Sequence, residues 1–182
     1  KPSGPSANVA LLPDRLPLGV FDDNIAHSNG QPGINRDWVV QDEAGNVAPS
    51  RYMPTIDGSE SRSDNTLRVA MRRNTVYKNS AAAFGISGAG FWNRVSKPDY
   101  PEWVSADNAG VHFAGAGDDG VISRGLLVGQ SLNHSGAYPP GAQLPSAFAT
   151  YHSTFAMRDN TAVNFAFVDG QSSGVFRTND YY

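Results

Sequence analysis

The chain reads as an all-β domain, an antiparallel sandwich or jelly-roll-like arrangement that is turn-rich and has little helix. Three observations predict it. Nineteen Gly and twelve Pro in 182 residues favour short strands joined by many turns. No segment sustains a 3.6-residue apolar period, whereas one alternates cleanly with a period of two. No internal repeat is visible, which leaves a sandwich as the architecture that many short strands build.

The elements follow in order. Residues 1–8, Lys-Pro-Ser-Gly-Pro-Ser-Ala-Asn, form a flexible or inter-subunit arm, too polar and Pro-rich to pack by itself. Residues 9–182 form a single β-rich domain. Residues 9–18 are apolar but interrupted by Pro13 and Pro17, which suits an extended edge segment. Residues 24–35 make a long loop with Gly30 and Gly33. Residues 38–41 and 47–53 flank Glu43-Ala-Gly-Asn46 and predict a hairpin. Residues 57–65 are a polar loop. Over residues 66–77, Leu67, Val69 and Met71 face one way and Arg68, Ala70 and Arg72 the other, a strand with one wet face. Short strands follow at 111–114 and 121–128, around the turn at 115–120. Residues 148–157 and 163–168 predict a closing hairpin, with the Asp169-Gly170 turn after it.

Composition excludes several functions. Net charge is −3 with no basic patch, so nucleic-acid binding is not expected. No apolar run approaches the roughly 20 residues of a membrane helix. Cysteine is absent, which removes disulfides, thiolate metal sites and a Cys nucleophile. The chain opens on Lys1, read as the product of a removed leader. That reading implies an extracellular, cell-surface or virion location; an excised domain is the alternative. The asparagines at 65, 74, 79 and 160 each lack Ser or Thr two positions on, so none is a glycosylation sequon.

Asp159-Asn-Thr-Ala-Val-Asn-Phe-Ala-Phe-Val-Asp-Gly170 resembles the C-terminal phrase of bacterial prepilin-like surface proteins, with Asp159 where that group has His. Gly110-Val-His-Phe113 and Gly125-Leu-Leu-Val-Gly-Gln130 are similar to what precedes it there. The resemblance implies a β-rich filament or surface subunit without enzymatic activity. Tyr151-His152, Arg158-Asp159 and Val168-Asp169-Gly170 also resemble laminin-G and concanavalin-A-like jelly rolls, which implies glycan or protein binding, with calcium possible.

Candidate chemistry is sparse. Gly129-Gln-Ser-Leu-Asn133 resembles the nucleophile block of some carbohydrate esterases, yet only His134 and His152 follow Ser131 and neither has an Asp three residues before it. The four histidines are far apart in sequence, which disfavours zinc. Calcium would find carboxylates at Asp57, Glu60 and Asp64 in one polar loop. Glutamate is scarce, at 43, 60 and 102, which gives a glycosidase pair little to build on. The best binding candidates are Trp92, Tyr100 and Trp103, aromatics around a Pro-containing loop that could stack on sugar faces. The sequence thus predicts a non-catalytic extracellular structural subunit, a homo-oligomer or filament assembling through edge strands and termini. A glycan-binding jelly roll is the alternative.

Overall fold

A computed structural model describes residues 13–36, 38–41, 47–50, 52–58, 64–80, 88–115, 119–134, 144–150, 154–166 and 174–178. The N-terminal arm at 1–8 lies outside them. After a 3-10 turn at Pro13–Arg15 come β1 (Ile25–His27) and β2 (Ile34–Arg36), then β3 (Trp38–Gln41) and β4 (Val47–Ser50). Four coils of three strands follow. The first holds β5 (Val69–Ala70), β6 (Thr75–Tyr77) and β7 (Gly88–Asn93). The second holds β8 (Pro98–Pro101), β9 (Val104–Ala106) and β10 (Val111–Gly115). The third holds β11 (Gly120–Ser123), β12 (Leu126–Val128) and β13 (Ser146–Thr150), and the fourth β14 (Phe155–Arg158), β15 (Thr161–Val163) and β16 (Gly174–Thr178).

Strands adjacent in sequence do not pair, apart from β3 with β4. Each strand pairs with its counterpart one coil away. Sheet X runs β1-β6-β9-β12-β15, sheet Y runs β16-β13-β10-β7-β2, and sheet Z runs β14-β11-β8-β5. Every pairing within these three sheets is parallel. The chain is therefore a three-sided parallel β-solenoid, and the expected antiparallel sandwich or jelly roll is overturned. The all-β, helix-poor content stands. Among the described residues, antiparallel pairing is confined to β3 with β4 and one bridge, Thr55 to Thr66.

The reason lies in connection length. A parallel pair needs a crossover of about a dozen residues or more, whereas a hairpin needs two. Equivalent positions here are 50, 29, 22 and 35 residues apart in successive coils, ample for a full circuit. Turn residues after a short strand look alike whether the chain reverses or turns a corner. The expected closing hairpin is such a case: β13, β14 and β15 lie in sheets Y, Z and X. Asp169-Gly170 lies outside the described residues. The alternating strand at 66–77 is likewise split by a corner, although Val69 and Met71 are buried as the alternation predicts. The hairpin around 43–46 does form, with Trp38 opposite Ser50 and Gln41 opposite Val47.

The interior is built from in-register columns. Sheet Y aligns Ile34, Phe91, Phe113, Phe148 and Phe176. Sheet Z aligns Tyr100, Ile122 and Met157. Sheet X contributes Ala26, Val76, Ser105, Leu127 and Ala162. Rings meet across the centre: Tyr100 and Trp103 each contact Phe113 at 5.1 Å between centroids. A register shift between Val111 and Phe113 places Ala89 and Gly90 opposite His112, a bulge in β7, and all five residues of β10 are buried. Gly90 is required opposite His112, because a Cβ there would stand 2.0 Å from the His112 carbonyl oxygen.

Candidate functional site

Both borders of sheet X are corners that the sequence repeats. Before each strand comes a residue in left-handed conformation: Asp23, Arg73, Glu102, Arg124 and Asp159, with φ from 51° to 60°. A non-glycine residue pays about 1–2 kcal/mol for that conformation. The side chains use it to form a column of alternating charge. Arg73 forks onto Asp23, with Nε to Oδ1 at 2.7 Å and Nη2 to Oδ2 at 2.8 Å. Arg124 donates from Nε and Nη2 to Glu102 Oε1 at 3.1 and 3.0 Å. The Arg73 guanidinium holds the Asp23 carboxyl below the usual carboxylate range.

Asparagines tie successive coils together at the corners. Asn74 Oδ1 accepts from Asn24 N and Nδ2 at 3.0 and 2.9 Å. On the far border, Asn79 Oδ1 accepts from Asn29, and Asn108 Oδ1 accepts from Asn79, each by N and Nδ2. Asn160 Oδ1 accepts from Gly125 N at 2.9 Å. These bonds stack the strands of sheet X flush, so its outer face is an aligned platform.

Alternation sends two columns outward. One is Ile25, Thr75, Val104, Leu126 and Thr161; the other is His27, Tyr77, Ala106, Val128 and Val163. Ile25 is 67% exposed, Leu126 41% and Val163 39%. His27 and Tyr77 stack, with centroids 4.6 Å apart and planes 8° from parallel. No carboxylate stands in either column; His27 and Tyr77 are their titratable groups. The face offers aliphatic and aromatic surface beside a column in which Arg73 and Arg124 alternate with Asp23, Glu102 and Asp159.

The residues predicted from sequence lie elsewhere. Tyr100 and Trp103 are each 1% exposed and belong to the central aromatic cluster. Among the described residues their Oη and Nε1 atoms meet no hydrogen-bond partner, and burial pushes the Tyr100 hydroxyl well above its ordinary range. Trp92 is half-buried against Val111, Ala114 and Ala149. The structure thus separates Trp92 from the other two. Asp57 and Asp64 are exposed in a loop whose ends are joined by the Thr55–Thr66 bridge, and Glu60 lies outside the described residues. Among the described residues, no group of three or more His, Asp or Glu side chains is placed to hold a metal ion. No helix among them is long and apolar enough to cross a membrane.

Ser131, at the esterase-like block, donates its hydroxyl proton to Asp107 Oδ2 at 2.6 Å, and Asp107 Oδ1 accepts from Ser131 N at 2.6 Å. Among the described residues that hydroxyl is bonded to a carboxylate and not to an imidazole, and His152 lies outside them. His112 is sealed in the interior. Asn108 Nδ2 donates to Ser105 Oγ at 2.9 Å, and Ser105 Oγ lies 2.9 Å from His112 Nδ1. Nε2 lies 3.2 Å from Asn108 O and Nδ1 3.3 Å from Ser105 O, so a neutral ring protonated on Nε2 donates to Asn108 O and accepts from Ser105 Oγ, while the Ser105 carbonyl gets no proton from it. Burial lowers its pKa to about 4. A groove of about 610 Å³ opens at the start of sheet Z beside Arg68, Asp119, Thr154 and Phe155. Arg68 Nη1 is engaged there by Asp119 O at 3.1 Å.

Sequence reasoning missed the sheet X face. Its available signal was the six-residue phrase Asn-x-x-x-x-Asn at Asn24–Asn29 and again at Asn74–Asn79, which frames a three-residue strand with corner asparagines.

No family model matches the chain, and no solved structure matches it. Among curated proteins it is similar to the human "Cell surface hyaluronidase CEMIP2", 29% identical over 145 residues. The match covers 74% of this chain and 10% of that protein.

Proposed function

We propose that this chain is a non-catalytic β-solenoid module of an exported, surface-associated protein, and that the outer face of sheet X binds polysaccharide. The observation that carries the reading is that face itself: aligned strands, the His27–Tyr77 ring stack, exposed Ile25 and Leu126, and a flanking column containing Arg73 and Arg124. Pyranose rings present apolar C–H faces to aromatic and aliphatic surface, and a sugar carboxylate would have to share Arg73 and Arg124 with Asp23 and Glu102, which makes the apolar face the main contact. The similarity to a cell-surface hyaluronidase supports a glycan of that class, and hyaluronan is the ligand to try first.

The test is calorimetric titration with hyaluronan oligosaccharides, beside a glycan array. The His27→Ala/Tyr77→Ala double variant is expected to bind about 10-fold more weakly, the equivalent of about 1.4 kcal/mol. Unchanged affinity in that variant removes the face from the reading, and an array blank for every polysaccharide removes the reading altogether.

A second reading, a structural subunit that assembles end to end, is favoured by Phe176. It continues the sheet Y phenylalanine column and is 66% exposed. A further rung would cover that ring. Light scattering showing mass growth with concentration supports assembly, and a monomer near 19.4 kDa at all concentrations sets it aside.

A further inference from the structure

We propose that Asn133 is an N-glycan acceptor. It rests on the exported reading of the chain. Of the chain's 14 asparagines, Asn133 alone has Ser or Thr two positions on, in Asn133-His134-Ser135. The asparagines that build the corners cannot be modified without dismantling the solenoid: Asn74, Asn79 and Asn108 are each at most 2% exposed. None of them has a hydroxyl residue at that spacing.

Asn133 sits in the opposite environment. It follows the corner at the end of β12, in a turn closed by His134 N donating to Ser131 O at 3.1 Å. The root of the turn is clamped by the two Asp107–Ser131 bonds of 2.6 Å. Its tip is offered to solvent, with Asn133 exposed and Leu132 fully so. An enzyme that transfers a bulky oligosaccharide needs an asparagine on a projecting turn, away from the strand ladders. In the transfer, the Asn133 amide nitrogen forms a bond to C1 of the donor sugar. The C1–oxygen bond to the donor's lipid pyrophosphate breaks, the pyrophosphate leaves with the electron pair, and the amide proton passes to base.

The experiment expresses the chain behind a secretion leader in human cells and measures its intact mass before and after enzymatic removal of N-glycans. The expected result is one glycan above the 19.4 kDa chain, removed by the enzyme with Asn133 converted to Asp. Asn133→Gln and Ser135→Ala are both expected to lose the added mass. Chain retained in the cells is measured from the membrane fraction in the same way. Unmodified mass in the wild type overturns the proposal, as does added mass that persists in Asn133→Gln. Hyaluronan titration of the Asn133→Gln variant separates the two ideas: binding that survives there leaves the sheet X reading intact whether or not Asn133 is modified.

Discussion

At the scale of single residues, His112 shows how a buried polar group is kept neutral. Its ring is 0% exposed and hydrogen-bonded on both nitrogens. Desolvation lowers its pKa to about 4, against an ordinary value of 6.5, and outweighs the opposing effects of the Ser105 and Asn108 backbone bonds and of Asp107. Between those two values the unfolded chain binds more protons than the folded one, so stability rises with pH. The contribution is complete above about pH 6.5 and is lost as pH falls towards about 4. Its size is about 3 kcal/mol. Urea midpoints measured from pH 7 to pH 4 are expected to fall accordingly, and in His112→Gln that part of the slope should vanish. An equal slope in the variant would place the acid sensitivity elsewhere. Position 112 also shows what sequence could not convey. Its Gly110-Val-His-Phe113 setting suggested a strand, but the imidazole's enclosure depends on residues remote in sequence, Phe165 against its ring and Gly90 of the paired β7 strand against its backbone.

At the scale of elements, the corners carry the fold. Asn79 is the central member of its ladder: its Oδ1 accepts from Asn29, and its Nδ2 donates to Ala26 O and Asn108 Oδ1. Asn79→Ala leaves several buried partners unpaired, a loss of about 2–4 kcal/mol. Lys78→Ala, one residue away and exposed, should fall within about 0.5 kcal/mol of wild type. Denaturant midpoints at constant m-value compare them, and equal stability of the two variants would refute the ladder's role. Strand content and many strand positions were legible in the sequence, because alternation and turn residues are local properties. Pairing was not. Asn24–Asn29 and Asn74–Asn79 repeat the corner phrase, but the third coil replaces it with Gly125 and Gln130 and the second begins it with Trp103. Coil length also varies, so no fixed period marks the repeat. The site was less legible still. Trp103 and Tyr100 have the composition of a sugar platform, yet the coil path turns them into the core, while the exposed face uses Ile25, His27 and Tyr77.

At the scale of the whole molecule, a solenoid grows by adding rungs, and its three sides differ in tolerance. The corners from sheet Z to sheet X are short in every coil. The other two paths accept added chain: from Y to Z the β3–β4 hairpin lies between β2 and β5, and from X to Y the link grows from β9–β10 (Ala106 to Val111) to β12–β13 (Val128 to Ser146). Enlargement on those paths leaves sheet X in register, which keeps one face uniform while the others diversify.

Hydrogen bonds between parallel rungs point along the solenoid axis, with strands about 4.8 Å apart. Tension along that axis therefore loads the rungs in series, and the weakest terminal rung yields first. Pulled from its ends, the molecule should unravel coil by coil and not in one event. The steps should be unequal, because coils of 22, 29, 35 and 50 residues release different lengths of chain. At about 3.4 Å per extended residue they range from about 75 Å to about 170 Å. An optical-tweezers trace with a single rupture would show that the coils are not mechanically separable. A staircase of uneven treads would make this chain an extensible tether, paying out length under load while its remaining rungs stay folded.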